Sequence, residues 1–148
     1  MRVSVVGGGR VDDATAEVAH EVGRLLGEAN HEVVCGGLGG VMEAACRGAR
    51  AAGGHTIGIL PGEDRSAAND HVETAIATGL GNARNALVVL NGDAAVAIDG
   101  STGTLSEIAL ALDAGQPVAG LDTHDVAGVE AVDAPAAAVD YVERAVSK

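Results

Sequence analysis

Ile98-Asp99-Gly100-Ser101-Thr102-Gly103-Thr104-Leu105-Ser106-Glu107 reads as the end of a buried strand, a glycine-rich turn and the first turn of a helix. The N–H groups that open a helix lack intrahelical partners and carry the positive end of its dipole, so a phosphate is their natural ligand. Glycines let such an anion approach the backbone closely. Glu107 follows Thr104 by three residues and shares its helix face, which puts a carboxylate at the mouth of the same site. The spacing Thr104-Leu105-Ser106-Glu107 equally fits a capping box, in which the two side chains satisfy each other's backbone amides.

A second loop of the same kind favours the ligand-binding reading. His31 to Cys35 forms a short strand that runs into Gly36-Gly37-Leu38-Gly39-Gly40, and a helix is expected over 41–52, stopped by Gly53-Gly54. Ahead of these, Arg2 to Val6 is a β-branched strand ending in Gly7-Gly8-Gly9. Asp12 or Asp13 caps a helix whose Val18, Val22, Leu25 and Leu26 recur at helical spacing. His55 to Leu60 is a third strand, Val72 to Ile76 a short extra one, and Asn82 caps a helix through Leu90. Ala94 to Ile98 then leads into the first-quoted loop, whose helix runs to about Ala114. Pro117 to Leu121 is a strand, and a final helix spans Pro135 to Val146.

Strands alternating with helices predict one α/β domain, a Rossmann-like parallel sheet with helices on both faces. Ligands of such sheets bind beyond the carboxyl ends of the strands, where both glycine-rich loops fall.

Composition narrows the ligand. The net charge of −12 repels nucleic acid polymers, and Tyr141 as the sole aromatic residue leaves no base-stacking platform. Only one of the nine basic residues is lysine, Lys148. A surface so acidic and lysine-poor suits concentrated salt, where screening relieves self-repulsion, and a halophilic source is expected. Cys35 and Cys46 form no Cys-x-x-Cys pair, so buried packing is expected of them rather than a disulfide or metal site. The N-terminal apolar run is too short for a signal peptide, and no run approaches the roughly 18 residues of a membrane span, so a cytoplasmic location is expected.

A dinucleotide cofactor fits poorly. The first turn, Gly7-Gly8-Gly9-Arg10-Val11-Asp12, has Asp12 at the third glycine of Gly-x-Gly-x-x-Gly, and the second strand ends without the acidic residue that holds a ribose diol. A Walker loop is absent too.

Gly36-Gly37-Leu38-Gly39-Gly40-Val41-Met42-Glu43-Ala44-Ala45 resembles the Gly-Gly-x-x-Gly-x-Met segment of the Lonely guy (LOG) and "possible lysine decarboxylase" proteins. Gly100 to Glu107 is similar to that family's Pro-Gly-Gly-x-Gly-Thr-x-x-Glu signature. The likeness takes in Gly53 to Pro61 and Arg84, and the compact length is closer to a small branch that includes molybdenum-cofactor carrier proteins. For LOG-type members it implies a homodimer that hydrolyses a nucleoside 5′-monophosphate to free base and ribose 5-phosphate, without a metal or cofactor. It implies catalytic roles for Glu107 and Arg84. A phosphate cradle would come from Gly36, Gly37, Gly39, Gly40 and Met42 with Gly100, Ser101, Thr102, Gly103 and Thr104.

That chemistry is coherent: cleaving an N-glycosidic bond builds positive charge on the ribose, which a nearby carboxylate stabilises while handling the attacking water. Arg84 holds the phosphate as a fork or polarises the departing base. Three departures make a non-catalytic carrier or sensor of a nucleotide or molybdopterin-type cofactor the rival. Asp99 stands at the signature proline, Ser101 at its second glycine, and Asn85 where LOG enzymes usually carry lysine. The five histidines lack ligand spacing, and His71, Asp70 and Glu73 are expected to be solvent-exposed or satisfied by neighbours.

Overall fold

The computed structural model describes residues 1–148. Seven parallel strands are β1 (Arg2–Gly7), β2 (Glu32–Cys35), β3 (Thr56–Leu60), β4 (Thr74–Ala77), β5 (Ala94–Ile98), β6 (Val118–Leu121) and β7 (Val129–Ala131), in spatial order β4-β3-β2-β1-β5-β6-β7. Helices α1 (Asp13–Glu28), α2 (Val41–Ala51), α3 (Asn85–Leu90), α4 (Thr102–Asp113) and α5 (Pro135–Val146) cover both faces. The fold is the α/β, Rossmann-like one that the alternation predicts.

Alternation along β1 divides the core. Val3 and Val5 pack with Val22 and Leu26 of α1, Ala45 of α2 and Val142 of α5. Val6 faces the other way, with Val88 of α3 and Ile108 of α4, and on that face Ser4 Oγ donates to Val88 O at 2.9 Å. Gly23 of α1 and Gly48 of α2 let these helices nearly touch: a Cβ at either would lie 2.0 Å from a carbonyl oxygen of the other helix. The order reverses between β1 and β5, so the carboxyl ends of β2, β1 and β5 share the rim where ligands of this architecture sit.

The local differences from expectation have physical reasons. Strand β4 begins two residues after the expected start at 72 and ends one after 76, because Val72 is drawn into a turn whose N–H donates to Asn69 O, and Glu73 N donates to Thr56 O. Strand β7 has three residues at the sheet edge with little burial, too short for a periodic signal. Asn82 is no cap: it lies inside a 3₁₀ turn, Gly81–Arg84, that delivers the chain into α3. Asp12, not Asp13, caps α1, accepting from Thr15 N at 2.8 Å. The capping box of α4 pairs Ser101 with Thr104, so Glu107 takes no part in it.

Candidate functional site

Freed from capping, Glu107 projects from the inward face of α4 together with Thr104, Ile108 and Ala111, and is only 8% exposed. It lines a polar cleft of about 120 Å³ at the carboxyl end of β1, where Val6 and Gly7 also contribute. Arg84 stands in the same cleft at 7% exposure. The turn before α3 aims its guanidinium inward, where Nε donates to Ile59 O at 2.9 Å, Nη1 to Asn85 Oδ1, and Nη2 to Gly36 O at 3.4 Å. A guanidinium has five N–H donors, so two remain for a ligand.

Burial pushes the Glu107 carboxyl up to about 7, against the pull of the neighbouring Arg84 charge. Burial also lowers the Arg84 guanidinium from its ordinary value, opposed by Glu107 and Cys35. Near neutral pH the cleft therefore holds a fixed cation beside an acid able to give or take a proton. The positive opening turn of α4 completes it: Ser101 N donates to Thr104 Oγ1 at 3.3 Å, and the Gly103 backbone faces the cleft.

Of the residues singled out in the sequence, Met42, Arg84, Ser101, Gly103, Thr104 and Glu107 line this one cleft. Gly36 walls it from behind, where a Cβ would lie 2.8 Å from Arg84 Nη2. Thr102 is exposed at the first turn of α4, and Gly100 folds back on Thr104. Gly37, Gly39 and Gly40 are not among the residues lining it: Gly37 lies against Leu60, and Gly39 and Gly40 against the backbone of Gly8 and Gly9.

Asn82, read from sequence as a helix cap, and Asn85, which stands where LOG enzymes usually carry lysine, also line the cleft. Asn85 accepts from Arg84 and passes a hydrogen bond from Nδ2 to Ser106 Oγ at 3.3 Å, and Ser106 Oγ donates to Gly103 O at 2.7 Å. This relay ties the buried cation to the glycine-rich turn. Its sequence signals are the adjacency of Asn85 to Arg84 and the place of Asn85 where LOG enzymes usually carry lysine.

A larger cavity, about 370 Å³, opens on the other side of β5. Its charged groups are Asp99, Asp122 and Asp133, three carboxylates that repel a phosphate, whereas the smaller cleft holds the Arg84 guanidinium. No three His, Cys, Asp or Glu side chains converge in a metal-binding group, and no helix is long and apolar enough to cross a membrane.

Residues 1–146 match the model of the SLOG cluster4 family. A protein of Archaeoglobus fulgidus described as uncharacterised is 42% identical over 142 residues, covering 95% of this chain and 93% of its own. Among solved structures, the molybdenum cofactor binding protein of the phototrophic bacterium Rippkaea orientalis superposes with a TM-score of 0.92 at 34% identity, covering 98% of this chain and 96% of that one. The molybdenum cofactor carrier protein of Chlamydomonas reinhardtii gives 0.88 at 32% identity, with 99% and 98% coverage. Sheet order, signature loop and these likenesses agree: the chain belongs to the SLOG cluster4 family, in a LOG-related branch that is also related to molybdenum cofactor carriers.

Proposed function

We propose that this protein binds and carries a phosphorylated small molecule of nucleotide or molybdopterin type, holding it by its phosphate. The observation that carries this reading is the cleft itself. Arg84 has two unused donors, the opening turn of α4 faces the same space, and the volume of about 120 Å³ suits a phosphate group but not a whole nucleotide. The organic body of the ligand then lies on the rim outside, as suits a carrier that must hand over its cargo. The likeness to molybdenum cofactor carriers supports the same choice.

Phosphoribohydrolase activity is the second reading, and Glu107 favours it. A buried carboxyl titrating near 7 beside a cation has the protonation behaviour needed to steady positive charge on a ribose and manage water. In this reading Glu107 and Arg84 are catalytic. Incubation with a panel of nucleoside 5′-monophosphates separates the two: saturable binding without release of free base supports the carrier. Base release abolished by Glu107→Gln establishes the hydrolase and retires the carrier.

The assembly we propose is a homodimer. Leu105 and Leu110 on α4 and Leu90 at the end of α3 are all exposed on the face carrying α3 and α4, an apolar surface suited to a second copy. Sedimentation of Leu105→Glu/Leu110→Glu as a folded monomer, against a wild-type dimer, is the expected result, and a monomeric wild type removes the proposal. The acidic surface belongs to the same reading, and we expect stability to rise from low to molar salt.

A further inference from the structure

Cys35 and Cys46 are eleven positions apart in sequence, yet their sulfurs lie 3.5 Å apart at the end of β2, both fully buried. Cys35 is the last residue of β2 and immediately precedes Gly36, whose carbonyl anchors Arg84. Gly37 N donates to Cys35 Sγ at 3.3 Å. On the other side, Cys46 of α2 neighbours the Asn69 side chain, whose Nδ2 holds the glycine-rich loop through Leu38 O at 2.8 Å. The two thiols thus sit directly beneath the 36–40 loop and behind the cleft.

We infer that Cys35 and Cys46 are a redox modification site: hydrogen peroxide joins them in a reversible disulfide within the folded protein, and that bond reshapes the 36–40 loop and the anchor of Arg84. The geometry requires little. The sulfurs close from 3.5 Å to about 2.05 Å, a movement shared between two side chains and a loop with four glycines in five residues. Peroxide is water-sized, and brief opening of such a loop admits it.

The chemistry assigns the order of events. The Cys35–Cys46 hydrogen bond, with the Gly37 N–H and the Arg84 charge, lowers Cys35 against burial and the Glu107 charge, while the same pairing and burial push Cys46 up. The Cys35 thiolate attacks one peroxide oxygen, the O–O bond breaks, and hydroxide leaves behind a Cys35 sulfenic acid. The Cys46 sulfur then attacks the Cys35 sulfur and expels a second hydroxide. The two thiol protons convert both hydroxides to water. Two thiols and one peroxide become one disulfide and two waters: the sulfurs together lose two electrons and the peroxide gains them.

Closure takes Cys35 Sγ away from Gly37 N–H and draws the β2 end toward α2, which disturbs the Gly36 carbonyl that orients Arg84. This last consequence rests on the phosphate-binding reading, whereas bond formation does not.

The experiment treats the native full-length protein with hydrogen peroxide and measures intact mass before and after reductant. A loss of two hydrogens, reversed by dithiothreitol, is expected. Cleavage at Glu43 then separates the two cysteines and leaves peptides joined only through sulfur. Cys35→Ser and Cys46→Ser should each fail to lose the hydrogens while keeping the wild-type circular dichroism. Should one not fold, the wild-type peptide linkage alone decides. Oxidised protein should bind inorganic phosphate more weakly by roughly fivefold or more, as for a lost hydrogen bond, and exchange amides faster across 36–42. Addition of oxygen to a single cysteine, or disulfide formation only in denaturant, overturns the inference. A native disulfide that leaves both amide exchange and phosphate affinity unchanged overturns its link to the site. If the reduced protein ignores phosphate, the binding proposal fails, and the mass and exchange data still judge the disulfide.

Discussion

Gly40 and Gly103, one from each glycine-rich loop, look alike in sequence and sit in opposite surroundings in the structure. In the loop after β2, Gly40 has φ of +65°, and a Cβ there would lie 2.2 Å from Gly8 O. Its glycines let one rim loop lie on another. In the turn after β5, a Cβ on Gly103 would meet nothing closer than 3.9 Å, because that position opens into the cleft. A glycine the packing does not need, in a helix that Ala would favour, points to what the protein binds rather than to how it folds.

The sharpest way to break this contrast is Gly40→Ala. It should lose about 3 kcal/mol or more of stability, since the positive φ and the backbone clash admit no side chain. A urea midpoint close to wild type would show that the loops do not differ in this way.

Glu107 gives the next largest effect. Its carboxyl titrates near 7 when folded against an ordinary 4.5, so between those values the folded protein keeps a proton that the unfolded chain has released. Arg84 faces this carboxyl across the cleft and lowers it against burial, and the buried Cys35 lies behind the cleft within reach of its charge. Stability should therefore fall as pH rises through that window and level off above it, by up to about 3 kcal/mol. Glu107→Gln should abolish that slope in urea titrations from pH 4 to 8, and an unchanged slope would place the ionisation elsewhere.

Gly103→Ala should separate folding from binding. Stability rises by about 0.5 kcal/mol through helix propensity, while phosphate affinity falls roughly tenfold as the methyl enters the cleft. Equal affinity by calorimetry would move the anion away from this turn. Ser106→Ala cuts the relay from Asn85 to Gly103 and should weaken phosphate about twofold, with stability within about 0.5 kcal/mol of wild type.

Much of the fold was legible because β5 and α5 carry unambiguous local signals, a solid apolar run and a proline-led amphipathic stretch, and both have the expected bounds. The edge strands were harder to read. β4 and β7 are short and half exposed, so pairing with a neighbour defines them more than their own residues do. At the cleft, Glu107 was legible from its spacing to the glycine-rich turn, and Arg84 only through family likeness. The partition of labour between the loops was hidden, because whether a glycine meets a backbone or a void depends on chain far away in sequence. The Cys35–Cys46 approach was hidden for the same reason: a strand end and the helix after it meet only once the sheet forms.

The sheet order also bears on how the protein is made. β1, made before the other six strands of this sheet, pairs Val3 with Val33 on one side but with Ala94 on the other. Until β5 is made its second edge stays open, an apolar ribbon of unpaired amides. Chaperone capture of nascent chains should thus peak before β5 emerges and subside once it docks.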